Sequence, residues 1–312
     1  MATMKTIRIH QYGGPEVLRY EDAPRPEPAA GEVLVRVRAA GVNPADWKIR
    51  QGYFKDFIKH HMPLILGWDV SGVVEATGSG VARWKRGDEV YGRADLTRDG
   101  SYAEYIVVRE NEIARKPRSL DHEHAAAVPL AGLTAWQSLL DIAGLAPGRR
   151  VLIHAAAGGV GHLAVQLAKW RGAYVIGTAG ARNAAFVRGL GADQVIDYNA
   201  GRFEDAVRDV DVVFDTIGGE VQQRSWKTLK PGGFLVSVVS PPSAEEAAKH
   251  RARGGLAFIH SNASQLSDMA GLIDAGKLRP VVETVMPLAD ARRAQDAVQG
   301  GHTRGKVVLS VP

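Results

Sequence analysis

Apolar and polar residues alternate over Glu32–Arg38 (E-V-L-V-R-V-R). A period of two predicts a half-buried β-strand. Further short β-rich runs follow at Asp69–Ala76, Asp88–Gly92 and Tyr102–Val108, separated by glycine turns such as Thr77-Gly78-Ser79-Gly80. No long helical period interrupts this stretch. The pattern predicts a compact, mostly antiparallel, barrel-like domain. Met1–His10 lacks the basic, apolar, small-residue order of a signal peptide and reads as a first strand.

After about residue 123 the rhythm changes. Ala135–Ile142 is helical in spacing, and Val151–Ala157 is an apolar strand. Val160–Trp170 places Leu163, Leu167 and Trp170 on one helical face. A strand at Tyr174–Thr178, a helix near Ala184–Leu190 and strands at Gln194–Asp197 and Val210–Asp215 follow. A helix at Glu220–Leu229 then leads to a strand at Phe234–Val239. Strands alternating with helices predict a parallel, doubly wound sheet. Positions 281–312 return to a mixed pattern ending in a strand, Lys306–Val311, that could rejoin the first domain. The expected division is therefore 1–122 with 281–312, and 123–280. Positions 50–62 and 240–256 carry no readable period.

Composition adds exclusions. A chain of 312 residues is long for one core, which supports two domains. No apolar run reaches the roughly 18 residues of a membrane span, so no membrane partner is expected. There are no cysteines, which excludes disulfides and thiolate metal sites and fits a cytoplasmic protein. The net charge is +5 and the isoelectric point about 9.4. No dense basic run appears, so a solvated, arginine-rich surface is favoured over nucleic-acid binding.

The motif with the clearest chemistry is Ala155-Ala156-Ala157-Gly158-Gly159-Val160-Gly161. It is a dinucleotide fingerprint with Ala156 at the first glycine position. Small residues allow a tight strand-to-helix turn and let a pyrophosphate approach the amides, and the helix N-terminus favours its charge. The preceding strand and following helix supply the context the motif needs. An NAD site commonly has an acid some 20 residues on. Here Gly177-Thr178-Ala179-Gly180-Ala181-Arg182 has no carboxylate but offers a hydroxyl at Thr178, backbone amides beside Ala179, and a cation at Arg182. That set suits a 2′-phosphate, so the expected cofactor is NADP(H). Tyr198, after the third strand, either stacks on the adenine or packs.

These residues and several others resemble the medium-chain dehydrogenase/reductase superfamily, and within it the zinc-free NADPH:quinone oxidoreductases, the zeta-crystallin-like family. The matching stretches are Ala40-Gly41-Val42-Asn43-Pro44-Ala45-Asp46, Leu66-Gly67-Trp68-Asp69-Val70-Ser71-Gly72, Gly87-Asp88-Glu89-Val90, Gly100-Ser101-Tyr102-Ala103-Glu104-Tyr105 and Ala131-Gly132-Leu133-Thr134-Ala135. The resemblance spans essentially the whole chain. It implies an α/β protein: a GroES-like β-barrel-type catalytic domain plus a Rossmann doubly wound parallel-sheet cofactor domain.

Zinc-dependent relatives carry metal ligands where this chain has Asn43, Trp68 and Leu130, none of which suits zinc. The pair His60-His61 lacks further ligands. Without a Lewis acid, the expected reaction is hydride transfer to an acceptor already electrophilic, a quinone or an enone or alkenal C=C. The resemblance gives Asn43 an active-site amide that would donate to the substrate oxygen, with a turn residue before Pro44 as its plain alternative. Lys48 and Tyr53 would stabilise an oxyanion or supply a proton, or lie on the surface. Relatives tend to have tyrosine where this chain has Lys48 and Phe54. Asp46 either caps a helix or takes part in chemistry. Thr134 would lie by the nicotinamide amide. Loops at Ile217-Gly218-Gly219, Ser237-Val238-Val239 and Phe258-Ile259 would enclose the nicotinamide, and Arg304 and Lys306 would reach the phosphates. A homodimer is implied, with Leu256–Ile259 pairing across a two-fold axis. A crystallin-like or RNA-binding role is the reading from another class.

Overall fold

The computed structural model describes residues 2–312. Among them run sixteen strands: β1 (Thr3–Ile9), β2 (Arg19–Pro24), β3 (Glu32–Val42), β4 (Leu64–Ile65), β5 (Asp69–Thr77), β6 (Glu89–Arg93), β7 (Tyr105–Arg109), β8 (Ile113–Arg115), β9 (Arg150–Ile153), β10 (Tyr174–Ala179), β11 (Gln194–Asp197), β12 (Val210–Asp215), β13 (Leu229–Ser237), β14 (Arg253–Leu256), β15 (Val282–Pro287) and β16 (Lys306–Ser310).

The alternating run at Glu32 becomes the longest of these strands, with Val33, Val35 and Val37 fully buried. β3 pairs antiparallel with β5, β7 and, at its far end, β16, where Val307 faces Val42 and Ser310 faces Ala39. The resulting sheet follows the order β15-β16-β3-β5-β6-β8, and a second sheet follows β2-β1-β4. Trp68, Ile9, Ile49, Ile106 and Leu309 join one core between them.

This first unit takes in the chain up to Leu130, Ser261–Gly276 and Pro280–Pro312. The expected boundaries at 122/123 and 280/281 move accordingly, for two physical reasons. The helix His122–Ala126 lies on β3 and β5. The helix Ala263–Asp274 is bonded to β6 and its neighbours: Tyr91 Oη donates to Leu266 O at 2.5 Å, Ser261 Oγ to Arg93 O at 2.6 Å, and Ser119 Oγ to Asp274 at 2.8 Å.

The second unit, Ala131–His260 with Lys277–Arg279, is built on a six-stranded sheet in the order β11-β10-β9-β12-β13-β14, every pair parallel. The central strand β12 (V-D-V-V-F-D) is buried along its whole length, as a parallel strand covered on both faces must be. In sequence order this is the doubly wound arrangement 3-2-1-4-5-6, whose direction of winding reverses between β9 and β12. Ligands of such sheets sit beyond the carboxyl ends of the strands at that point.

Two local expectations change. Ala135–Ile142 is not one α-helix: Pro129–Trp136 is α-helical and Gln137–Ile142 continues as a π-helix. Leu256–Ile259 is not a strand either. The edge strand is β14, ending at Leu256, and Phe258 beyond it is 81% exposed.

Candidate functional site

At the winding reversal, β9 runs into a turn at His154–Val160 and then the helix Gly161–Trp170. Ala155 takes a left-handed backbone, φ 47°, and accepts from Gly158 N at 2.9 Å. A Cβ on Gly161 would lie 2.1 Å from Ala155 O, so the turn closes only with glycine there. Ala156, at the first glycine position, donates to Thr178 O at 2.9 Å, and a Cβ on Gly177 would meet it at 2.8 Å. Among the described residues, the amides of Gly159 and Val160 donate to no acceptor. Two unspent N–H groups at a helix N-terminus, with no side chain before them, fit a dinucleotide pyrophosphate.

Thr178 is placed differently from expectation. It is 3% exposed, and its hydroxyl accepts from Ala155 N at 3.2 Å and faces His154 Nδ1 at 3.2 Å. That oxygen braces the turn from behind and is not presented to a 2′-phosphate. Ala179 is equally buried, which leaves only its backbone for contact. Arg182 stands exposed on the short 3₁₀ turn Ala181–Asn183. Tyr198 is 54% exposed beside the same turn: a Cβ on Gly180 would lie 3.5 Å from its hydroxyl.

The loop after β12 is organised by a residue the sequence reading missed. Asp215 is fully buried and accepts from Ile217 N (2.9 Å), Gly218 N (2.8 Å), Gln222 Nε2 (2.9 Å) and Ser237 Oγ (2.8 Å). An acid three residues before a glycine pair is an Asx-turn signal. The brace brings Ile217 and Val239 together at the ends of β12 and β13. Both are substantially exposed, and Gly218, at φ 78°, would carry a Cβ 3.0 Å from Val239. Phe258 and Ile259 follow from the same end of β14, and Ala257 N donates to Ser237 O. Thr134 is buried in its helix.

In the first unit, Asn43 proves to be committed elsewhere. It is 3% exposed; its amide donates to Asp69 Oδ2 at 2.9 Å and lies 3.4 Å from Gly41 O, and its carbonyl accepts from the Lys306 ammonium. No donor is left for a substrate oxygen, so the catalytic assignment of Asn43 is withdrawn. Lys306 is corrected with it. At 3% exposure it also bonds Val42 O at 3.1 Å and lies 3.4 Å from Asp69, a position that does not serve a phosphate. Burial pushes the Asp69 carboxyl up; the Lys306 ammonium, the Asn43 amide and Leu130 N (2.6 Å) oppose that.

Asp46 resolves toward capping: its Oδ2 accepts from Asn43 N at 2.8 Å and from Tyr102 Oη at 2.7 Å. Burial pushes its pKa up to about 7. Lys48, in the last turn of Pro44–Arg50, is half-buried, and desolvation lowers its pKa. Its ammonium sits 5.6 Å from the Trp47 ring, on which Tyr53, 62% exposed, packs edge-on. Arg304 is exposed, with its amide on Glu283 at 2.8 Å.

The residues at the three metal-ligand positions do not fit zinc. Trp68 spends its only polar atom donating to Arg98 O, Leu130 has no side-chain donor atom, and the Asn43 oxygen faces an ammonium. His60 spends Nε2 on Leu96 O at 2.8 Å.

A family model described as an alcohol dehydrogenase GroES-like domain matches residues 29–118, and one described as a zinc-binding dehydrogenase matches residues 190–309. A mitochondrial NAD(P)H oxidoreductase of Danio rerio is 35% identical over 97% of this chain and 90% of its own. A chloroplastic NADPH-dependent alkenal/one oxidoreductase of Arabidopsis thaliana is 37% identical over 98% of this chain and 79% of its own. The solved quinone oxidoreductase of Coxiella burnetii superposes with a TM-score of 0.93 at 38% identity, covering both chains completely. Fold, turn and relatives agree: the chain belongs to the medium-chain dehydrogenase/reductase superfamily and is an oxidoreductase of the nicotinamide-dependent kind.

Proposed function

We propose that the chain reduces quinones with NADPH, without zinc. The observation that carries this reading is the Asn43–Asp69–Lys306 cluster, where an ammonium meets the oxygen of the first metal-ligand position. With no lone-pair donor free there, the acceptor has to be electrophilic on its own account. The likeness to the quinone oxidoreductase of Coxiella burnetii supports a quinone. The Arabidopsis thaliana relative supports the second reading, reduction of the C=C bond of an enone or alkenal.

When bound, the reduced nicotinamide supplies the hydride. The amides of Gly159 and Val160 hold the pyrophosphate. Arg182 holds the 2′-phosphate, in a segment without an acid to repel it, and Tyr198 flanks the adenine. Ile217, Val239, Phe258 and Ile259 give the nicotinamide an apolar surround. The desolvated Lys48 ammonium supplies a proton or steadies the developing oxyanion, with the Tyr53 hydroxyl as the other donor. The assembly proposed is a homodimer paired along the open edge of β14; a monomeric mass by light scattering refutes it.

The test is NADPH oxidation by chelator-treated protein, with 1,2-naphthoquinone and a medium-chain 2-alkenal in parallel and NADH as the control. Quinone turnover indifferent to chelator is expected. Turnover of the alkenal alone moves the function to C=C reduction, and loss of activity on chelation overturns the zinc-free reading.

A further inference from the structure

We propose that His154, as the neutral Nε2–H tautomer, is the positioning residue of the phosphate-binding turn, and that taking up a proton loosens the turn and weakens dinucleotide binding. This rests on the reading that the His154–Val160 turn seats the cofactor.

The tautomer follows from proton counting. Ser225 Oγ donates its single proton to Val221 O at 2.6 Å. Toward His154 Nε2, at 2.8 Å, it can therefore only accept, so Nε2 carries the hydrogen. In a neutral ring Nδ1 is then an acceptor. The Thr178 hydroxyl, 3.2 Å away, donates to it and with the same oxygen accepts the amide of Ala155. One directed chain results: Ala155 N–H to Thr178, Thr178 O–H to the imidazole, imidazole N–H to Ser225, and Ser225 O–H to Val221 O.

The chain ends on the residue that most needs holding. Ala155 is the left-handed residue of the turn, a conformation that crowds the Cβ of an L-residue against its own backbone. Its amide is held by Thr178 and its carbonyl by Gly158 N. The backbone of His154 is tied as well: its amide donates to Phe214 O at 3.1 Å, and its carbonyl accepts from Thr216 Oγ1 at 3.1 Å. The ring packs edge-on against Phe203 at 4.7 Å. One residue, by ring and backbone together, thus joins the ends of β9, β10 and β12.

The ring is 1% exposed, and burial lowers its pKa to about 4. Two charged groups face it. The Asp215 carboxylate on β12 favours protonation, and Arg224 on the helix Gly219–Ser225 opposes it. A proton on Nδ1 would take the lone pair that Thr178 donates to, and leave a buried hydroxyl hydrogen without its acceptor.

The test is the equilibrium Kd for the acid-stable oxidised cofactor NADP, read by quenching of protein fluorescence between pH 3.5 and 8 on wild type, His154→Asn, His154→Leu and Thr178→Val. Asparagine sets a side-chain oxygen near the Nδ1 position. The expected results are a His154→Asn Kd within about threefold of wild type at neutral pH, and a ratio of wild-type to His154→Asn Kd that is constant above pH 6.5 and rises about threefold by pH 3.5. His154→Leu and Thr178→Val should bind roughly tenfold more weakly at neutral pH. In steady state, the KM for NADPH should rise far more than kcat falls. If His154→Leu does not fold, the Asn and Val variants carry the comparison. Unchanged affinity in Thr178→Val, or a ratio of wild-type to His154→Asn Kd that stays flat down to pH 3.5, overturns the positioning role. A wild type that binds neither NADPH nor NADH overturns the dinucleotide reading and the proposal with it.

Discussion

Each unit buries a polar cluster, and the two are built to opposite ends. In the first unit, Asp69, Lys306 and Asn43 bond one another, with Leu130 N and Val42 O completing the set: charge meets charge, and the group is closed. In the second, His154, Thr178, Asp215 and Ser237 terminate on the main-chain amides of Ala155, Ile217, Gly218 and Val239. The first cluster fills the place where the resemblance to zinc-dependent relatives implies metal ligands. The second uses its bonds to shape loops, one of which leaves the amides of Gly159 and Val160 without an acceptor among the described residues. The same kind of buried polar network can thus close a site or prepare one, and what decides is whether its charges pair with each other or are spent on the amides that shape a loop.

The sharpest way to break this contrast is Lys306→Met. It leaves Asp69 buried without its ammonium and should cost about 3–5 kcal/mol in a urea titration, with Asp69→Asn in the same chain restoring most of it. A loss below about 1 kcal/mol in the single variant would mean the cluster is not closed by charge.

Acid separates the clusters differently. His154, with its folded pKa depressed to about 4, is neutral in the folded chain where the unfolded chain is already protonated. Its contribution is full above pH 6.5 and is lost as pH falls toward 4. That amounts to roughly 3 kcal/mol, to be read as the difference between wild type and His154→Asn in unfolding against pH. Parallel curves for the two proteins would remove His154 as the source.

The third comparison sets Lys48 beside Lys306. Of the two, Lys306 is ion-paired and Lys48 makes no ion pair among the described residues. Lys48→Met should lower kcat about 100-fold with folding intact, if its ammonium serves the acceptor. Because burial lowers its pKa, the wild-type rate should fall as pH rises toward the ordinary lysine range, and a flat alkaline profile would count against it. The smallest effect is expected at the surface. Arg182→Ala should raise the KM for NADPH about tenfold while leaving NADH nearly unchanged; equal losses with both cofactors would sink the 2′-phosphate assignment.

Local pattern carried much of the second unit. The strands Gln194–Asp197 and Val210–Asp215 appear where their apolar runs predict, and the glycine motif lies between a strand and a helix. The helix Ala263–Asp274 was legible and unread: Leu266, Met269 and Ile273 form its buried face, and Asn262 caps it. What no local signal could reveal is the fate of Asn43 and Lys306. Each reads as an exposed polar residue near a glycine or proline, and only the pairing of β16 with β3 turns them toward each other. Thr178 misled for a related reason. A hydroxyl at a strand end suits a phosphate equally well whether it faces the ligand or the turn behind it.

The distance along the chain between Asp69 and Lys306 has a consequence in time. The two are 237 positions apart. At a synthesis rate of roughly 5–20 residues per second, the carboxylate emerges on the order of 10–50 s before its ammonium is made. Through that interval Asp69 has to stay hydrated or protonated, which keeps β3 and β5 from sealing around it. The unit that begins first is therefore among the last to be finished, and the second unit is fully synthesised while its neighbour still waits for one charge.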